Sequence, residues 1–409
     1  MVKRFIIIGA IIFAAFHLKA QEPDSTFKKN NFNKTEIDLI YKQYIQDGNN
    51  SAVTGGIGTE KLLVYAPAVV FKKTFNQKKT VVVKAGADVI SSASTDNIDF
   101  NVSSASILDT RSHVNINYAQ QLKNKNITVS GGTGLSIESD YTSIPINFGL
   151  NIIGKNQMRT YSFNLFAFFD DLRWGRLDPD FKRPVTLIYP QELRYKEWFD
   201  IHNRYSYNFK FGFTQIINKK NLLGVYPEVI YQHGLLSTPF HRVFFNDGDL
   251  KVENLPRQRL KGSLGLKLNS FVAGRIILKN EIDLYADDFG VLGIALANET
   301  AIKLNSLYSI APFVRIYFQQ EAKYFAPYQQ HSIEQSFYTS DYDLSSFNTY
   351  KIGINLRYAP FKYVGKKMAF NEIQLRYAFM YRTNNLQAHI ISLFINTSFD
   401  SKKQSKSNP

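Results

Sequence analysis

The chain has 409 residues, a formal net charge of +15, 14% aromatic residues and a mean hydropathy of −0.22. The absence of cysteine excludes disulfides and cysteine metal sites, and the lack of an apolar run of about twenty residues argues against transmembrane helices. The lysines lie mostly in short turns and form no single basic patch, so we expect no nucleic-acid partner.

Residues 1–20 are predicted to be a secretory signal peptide. Lys3 and Arg4 precede an apolar run over residues 5–16, and Ala20 offers a small residue for cleavage. The apolar run is too short for a membrane-spanning helix, and its charged start and small-residue end are typical of a cleaved signal. We therefore expect the chain to be exported.

A single stretch, from Arg204 to Gln215, shows the pattern that organises the exported chain. Every second residue is aromatic, and the residues between are small or polar; the aromatic ones are Tyr205, Tyr207, Phe209, Phe211 and Phe213. Successive side chains of a strand point to opposite faces, so one face is apolar and the other polar. About eleven residues is the length of a tilted strand that crosses a bilayer.

The same alternation recurs from residue 35 to residue 399, after a polar and flexible lead over residues 21–34. It predicts strands near 35–46, 62–71, 80–90, 110–120, 127–137, 143–153, 159–169, 204–215, 222–232, 259–269, 274–285, 290–303, 309–322, 347–358, 369–381 and 387–399. Residues 400–409 are expected to be a disordered polar tail. The prediction is an all-β, antiparallel, up-and-down outer-membrane barrel of about 16 strands, within a range of 14–18.

The connections between predicted strands alternate between short basic turns and long polar segments. The long ones include 170–203, 233–258 and 324–346. Outer-membrane barrels have short periplasmic turns and longer outer loops, and an even strand number puts both termini in the periplasm. We therefore expect outer-membrane lipid and the barrel-assembly machinery as partners.

A glycine-rich segment, QDGNNSAVTGGIGTE at residues 46–60, follows the first strand. Gly55, Gly56 and Gly58 permit the positive φ of a tight fold-back. A phosphate cradle would need a Gly-Lys-Ser/Thr ending that opens a helix, whereas an apolar strand follows here. A structural loop is therefore favoured over a nucleotide site.

That segment, with SSASTDNID at residues 91–99 and DTR at residues 109–111, resembles a family of Gram-negative outer-membrane proteins classified as a domain of unknown function. The resemblance covers most of the exported chain. It implies a barrel, it gives no activity, and it assigns no functional residue.

The polar strand faces are predicted to line the lumen. These residues are Lys84, Asp88, Arg111, His113, Lys210, Glu228, Lys261, Lys267, Lys279, Glu281, Asp283, Glu299, Arg315, Glu321, Lys351, Arg357, Glu372 and Arg376. Barrels of this size can leave an aqueous channel, and a slight basic excess would mildly favour anions. Alternatively, these charges pair with one another and only solvate the wall.

A second candidate site is the long segment 170–203, which contains both tryptophans. Its candidate residues are Trp174, Arg176 and Trp198. Loops of this length are usually functional or disordered, and the aromatic content argues against disorder. The segment could constrict the pore, bind a partner on the outside, or pack as an ordinary outer loop.

No pattern along the chain completes a catalytic, cofactor or metal site. His233 and His241 share one loop without a carboxylate pattern beside them, and the adjacent Ser112 and His113 point to opposite faces. The leading hypothesis is a channel for small polar solutes. The alternatives are a non-conducting barrel that acts as an anchor or component of a surface or secretion complex, a membrane-embedded hydrolase, and, as a structural rival, a soluble β-sandwich.

Overall fold

The computed structural model describes residues 33–92, 109–123, 126–138, 141–172, 202–238, 241–365 and 367–400. Sixteen long antiparallel strands dominate these residues. They are β1 (Lys34–Asp47), β2 (Leu62–Phe75), β3 (Lys79–Ser92), β4 (Asp109–Gln121), β5 (Ile127–Glu138), β6 (Tyr141–Ile153), β7 (Arg159–Asp171), β8 (Asn203–Ile216), β9 (Asn221–Gly234), β12 (Gln258–Val272), β13 (Ile276–Asp287), β14 (Leu292–Lys303), β15 (Tyr308–Gln319), β16 (Phe347–Tyr358), β18 (Met368–Arg382) and β19 (Leu386–Asp400).

These strands close into one barrel. Each pairs with its neighbours in sequence, and β1 pairs with both β2 and β19, with Lys34 opposite Asp400 and Asp47 opposite Gln387. Within the described residues, closure leaves none of these sixteen strands at a sheet edge. The predicted 16-strand up-and-down barrel is confirmed, and each predicted strand falls on one observed strand. The largest boundary error is in β2, which continues four residues beyond the predicted end.

Among the described residues, three short strands were not predicted. β10 (Arg242–Phe244) and β11 (Leu250–Val252) form a hairpin between β9 and β12, and β17 (Lys362–Val364) pairs with the start of β18. Three residues are too few to show a period-two pattern, so sequence periodicity could not detect them. Within the described ranges, no helix has the length and hydropathy needed to span a membrane.

The two ends of the barrel differ. One end, the turn end, carries both sheet termini and connections of nine residues or fewer, the longest being 359–367. The other, the loop end, carries the long connections. Strict alternation of short and long connections is wrong, because three loop-end connections, 139–140, 288–291 and 383–385, are also short. A tight hairpin can close an antiparallel pair at either end.

The outer face of the barrel is apolar. On β8 the side chain of Phe209 is 45% exposed, and its partner Leu165 on β7 is 50% exposed. Beside this pair, the rings of Phe163 and Phe211 lie 5.1 Å apart, and cross-strand aromatic pairs of this kind stabilise a sheet by roughly 0.2–1 kcal/mol. A closed antiparallel barrel with an apolar outer face is the β architecture that spans membranes.

Candidate functional site: the inner wall and the loop cap

The sixteen long strands form the wall of the barrel. Contacts between strands that are not neighbours identify the inner face of this wall. Arg376 on β18 donates to Glu299 on β14 at 2.7 Å, across the two intervening strands. Arg315 on β15 lies 3.9 Å from Asp283 on β13, skipping β14. In a closed barrel such contacts form on the concave side only. These four side chains therefore point inward.

Charge pairing is the rule on this inner face. Eleven of the eighteen residues predicted to line the lumen form ion pairs. The pairs are Lys210–Glu228 at 3.4 Å, Lys267–Glu281 at 2.7 Å, Lys279–Glu299 at 2.8 Å, Arg376–Glu299, Arg315–Asp283 and Arg357–Glu372. Each pair is partly exposed, so each stabilises the fold by about 0–1 kcal/mol. Their main effect is a wall that carries both signs of charge.

Four of the remaining predicted lumen residues lie together on β3 and β4. Asp88 stands opposite Arg111 in the strand register, and Lys84 lies on the same face of β3. The Arg111 Nε donates to Ser136 Oγ at 2.8 Å. His113 stands opposite Gly86, where an added Cβ would lie 2.8 Å from the imidazole ring.

Three further predicted lumen residues stand apart. Lys261 is on β12 and Lys351 is on β16. The strand predicted for Glu321 ends earlier than expected. β15 stops at Gln319, so Glu321 lies exposed in the connection 320–346 and not on the wall. The chain leaves the sheet there to enter the loop end.

A recess of about 380 Å³ indents the inner face where β8, β9, β12 and β13 meet. It is lined by Lys210, Tyr226, Glu228, Ser263, Gly265, Lys267, Glu281 and Asp283. A Cβ at Gly265 would lie 3.3 Å from the Asp283 carboxylate, so the glycine keeps this recess open. Two ammonium groups and three carboxylates around one recess suit polar solutes, with no single charge preferred.

The loop-end connections pack into a small body of their own, which we call the loop cap. It comprises connections 48–61, 235–257, 288–291, 320–346 and 383–385. One apolar cluster contains Leu255, Phe289, Val291 and Ala322, and a second contains Val243, Phe245 and Tyr338. Phe245 is fully buried and packs edge-on against Tyr338 at 4.8 Å.

The loop cap crosses the opening of the barrel. Connection 48–61 joins β1 to β2, and connection 235–257 joins β9 to β12, eight strands away in a ring of sixteen. A Cβ at Gly55 would lie 2.6 Å from the ring of Phe244, so these loops touch. A ring of sixteen strands spaced about 4.8 Å apart and tilted by about 40° is roughly 30 Å wide. Loops from opposite walls therefore meet over the lumen.

The glycine-rich segment makes this meeting possible. Gly55, Gly56 and Gly58 have φ of 82°, 88° and 80°, as the predicted fold-back requires. A Cβ at Gly56 would lie 2.9 Å from the ring of Tyr342. The glycines therefore serve close approach as well as the turn, which the sequence alone did not reveal.

Hydrogen bonds and an ion pair connect the loops of the cap. Asn50 Nδ2 donates to the Asn384 carbonyl at 2.7 Å, and Arg382 pairs with Asp343. Burial raises the pKa of Glu60 from 4.5 to about 7, and the nearby Asp343 carboxylate adds to this effect. The cap therefore holds a carboxyl group that titrates close to neutral pH.

A mixed nitrogen and oxygen cluster lies inside the cap. His241 Nδ1 is 3.4 Å from Glu253 Oε1 and 3.7 Å from Asp341 Oδ2. Burial alone would lower the pKa of His241, but Glu253 and Asp341 outweigh it and raise that pKa to about 9. The sequence beside His241 does not show these carboxylates, because Glu253 lies twelve positions away in the same loop and Asp341 one hundred positions away in a different one.

The second candidate site falls outside the described residues. Trp174, Arg176 and Trp198 lie within residues 173–201. The proposed signal peptide, nearly all of the lead, and residues 401–409 also lie outside the part of the chain that the structure describes.

Comparison with known proteins identifies one family. Residues 101–381 match the family described as "Protein of unknown function (DUF3570)". Of the segments that carry the sequence resemblance, DTR lies inside the match, whereas QDGNNSAVTGGIGTE and SSASTDNID lie before it. No curated protein matches the chain.

Several solved structures resemble the chain at low identity. A bacterial polysaccharide outer membrane secretin is 8% identical, with TM-score 0.46, over 92% of this chain and 100% of that chain. The outer membrane protein OpdK from Pseudomonas aeruginosa is 7% identical, with TM-score 0.39, over 90% and 98%. A TodX monoaromatic hydrocarbon channel mutant is 11% identical, with TM-score 0.40, over 91% of each chain. At these values the likenesses do not bear on what this chain conducts or binds.

Proposed function

The chain belongs to the DUF3570 family, and we propose that it is a porin-like outer-membrane channel for small polar solutes. The observation that carries the proposal is the wall itself, apolar outside and lined inside by paired charges. Barrels of about this strand number leave an aqueous lumen. A charged inner face is what a hydrated path requires and what a packed apolar core would exclude.

The proposal sets the turn end in the periplasm and the loop cap outside the cell. Short turns and both termini occupy the periplasmic side of outer-membrane barrels. Export would use the predicted signal peptide over residues 1–20, and insertion would use the barrel-assembly machinery. The proposal includes no catalytic role.

The proposed lumen residues would give a mild preference for anions. Without Glu321 and His113, the predicted lining comprises ten basic and six acidic residues. Because most of the acidic residues are paired, the excess basic groups would set the field inside the pore. Lys84, Lys261 and Lys351 belong to that excess.

Single-channel recording in a planar bilayer tests this proposal. The chain without residues 1–20 is folded in detergent, checked by its heat-sensitive gel mobility, and added to the bilayer. We expect steady conductance and a reversal potential displaced toward anions. Lys351→Gln should reduce the displacement, whereas Lys362→Gln in β17, an exposed residue at the turn end, should leave it nearly unchanged. Folded protein that never conducts, both as wild type and with its cap loosened by Phe245→Ala, would refute the channel.

A second candidate function is a non-conducting barrel that anchors an envelope partner. The meeting of loops from opposite walls over the opening favours it. The same recording separates the two, with wild type and a variant whose cap is loosened by Phe245→Ala. If both are silent and a protein co-purifies, the anchor is favoured. If only the loosened variant conducts, the barrel is a channel closed by its cap.

The segment with Trp174, Arg176 and Trp198 remains a proposed partner-binding or constricting loop. Replacing both tryptophans with alanine tests the constricting role in the same recordings. An increase in conductance would support constriction, and unchanged conductance would oppose it.

A further inference from the structure

The loop cap contains a cluster with the composition of a metal site. We propose that His241, Glu253 and Asp341 bind a divalent transition-metal ion, with Zn²⁺ the best fit. Two of these residues belong to connection 235–257 and the third to connection 320–346. The bound ion would cross-link the two loops over the opening of the barrel. This proposal does not depend on whether the barrel conducts.

The two distances from His241 fit coordination, and the two carboxylates would close on the ion from a separation of at most 4.8 Å. The ligand atoms all lie within 4.8 Å of one another, and His241 Nδ1 is 3.4 Å from Glu253 and 3.7 Å from Asp341. Zinc bonds to imidazole and carboxylate of about 2.0–2.2 Å, in tetrahedral geometry, space ligand atoms by roughly 3.3–3.6 Å. Three protein ligands would leave the fourth position to water. One nitrogen with two oxygens also favours Zn²⁺ over Ca²⁺, which prefers oxygen alone.

Surrounding donors hold the ligands in place. Thr339 Oγ1 donates to Glu253 Oε1 at 2.5 Å, and the backbone N–H of Thr238 donates to Glu253 Oε2 at 2.6 Å. The backbone N–H of Asp343 donates to Asp341 Oδ1 at 2.9 Å, which leaves Oδ2 turned toward His241. Hydrogen bonds of this kind orient metal ligands and are costly to remove.

The two loops are also in register at this point. Between the two loops, Asn254 and Tyr338 exchange backbone hydrogen bonds of 3.1 and 2.8 Å. Within connection 235–257, the Glu253 N–H donates to the His241 carbonyl at 3.0 Å. The ligands therefore lie on backbone that these hydrogen bonds already hold in place. Binding an ion would require little additional ordering of the backbone.

The charge of the cluster is a separate reason to expect a bound cation. Glu253 is only 5% exposed. Among the described residues, the ion pairs of Glu253 and Asp341 are both with His241. When both carboxylates are ionised, they leave an excess negative charge whether or not the imidazole is protonated. A divalent cation neutralises that excess, and burying uncompensated charge is costly.

Binding changes no oxidation state. The ion takes the lone pair of His241 Nδ1, and the ring keeps its proton on Nε2. Any proton held on Nδ1 is released to solvent.

Metal analysis of the signal-less protein, folded in detergent, tests the proposal. The protein is stripped with a chelator, dialysed against Zn²⁺, and measured for bound metal and for protease resistance of the cap. We expect one Zn²⁺ per chain and a more resistant cap. His241→Ala and Asp341→Asn should each abolish stoichiometric binding, and Thr339→Val, which removes only the oriented hydroxyl, should weaken affinity by about 10–100-fold.

Matched controls separate loss of the site from loss of the cap. Asp247→Asn removes a carboxylate from the tip of the β10–β11 hairpin, which lies between His241 and Glu253. His233→Ala removes a histidine from β9. Both variants should bind Zn²⁺ like wild type. The heat-sensitive gel shift reports whether each barrel is folded. Wild type that binds no Zn²⁺ at micromolar concentration would reduce the cluster to an ion pair and overturn the proposal. Undiminished binding in His241→Ala and Asp341→Asn would also overturn it.

Discussion

The barrel wall joins strands that are neighbours in sequence, whereas the loop cap joins segments far apart in the chain. Every wall pairing except the closing β1–β19 contact links consecutive long strands. In the cap, Gly55 meets Phe244, Thr339 binds Glu253, and Asn50 binds Asn384. The wall therefore depends on a repeated pattern that tolerates single changes, and the cap on a few specific contacts. A substitution should be able to open the cap and leave the wall intact.

The largest expected effect of this kind comes from the cap core. Phe245→Ala removes a fully buried ring and should lower the local stability of the cap by about 3–5 kcal/mol. Hydrogen exchange of residues 235–257 should rise while barrel unfolding in urea changes little. The control Leu250→Ala, at an exposed site in the same hairpin, should have a much smaller effect. Equal loss of wall stability would show that wall and cap are one cooperative unit.

A lipid-facing charge should damage the wall alone. Phe209→Arg puts a cation on the apolar outer face and should destabilise the barrel by about 2–4 kcal/mol if the site lies near the bilayer midplane. Lys210→Ala breaks a partly exposed ion pair with Glu228 and should cost less than about 1 kcal/mol. Urea unfolding in lipid vesicles measures both. Similar costs at the two positions would contradict the assigned faces.

These two regions also differ in how far the sequence predicts them. The period-two pattern locates all sixteen strands, and the aromatic face of β8 follows from five alternating rings. The cap is different, because no pattern links Phe244 to Gly55 or Asp341 to His241. Such contacts depend on the closed ring bringing opposite loops together, which local propensity does not encode. Glu321 shows the smaller error of a strand boundary, since its polarity fits a strand face and a loop equally well.

Comparing alanine substitutions at two glycines tests the contact between loops across the opening. Gly55→Ala forces a side chain into positive φ and against Phe244, whereas Gly248→Ala has a similar φ of 91° with nothing within 4 Å. The backbone strain of about 1–2 kcal/mol is common to both. Protease resistance of the cap should therefore fall further for Gly55→Ala. Equal behaviour of the two variants would argue that the loops do not touch.

The smallest expected effect is a pH dependence of the cap. Burial, with added repulsion from Asp343 and Asp341 and partial relief from Arg382, raises the pKa of Glu60 from 4.5 to about 7. The folded cap holds that proton more tightly than the unfolded loop, so the contribution is fully present below pH 4.5 and is lost as pH rises through about 7. Hydrogen exchange in the cap should quicken over this range. Glu60→Gln should remove the difference, and an unchanged slope in that variant would assign it to other groups.

The distance between the two opposing loops tests the central claim most directly. The chain has no cysteine, so spin labels can be attached at Ile57→Cys and Leu250→Cys and their separation measured by pulsed electron resonance. Leu250 pairs with Phe244, which Gly55 touches, so the labels should lie less than about 20 Å apart. A separation of roughly 30 Å or more, the width of the barrel, would contradict the account, because the two loops would then stand apart.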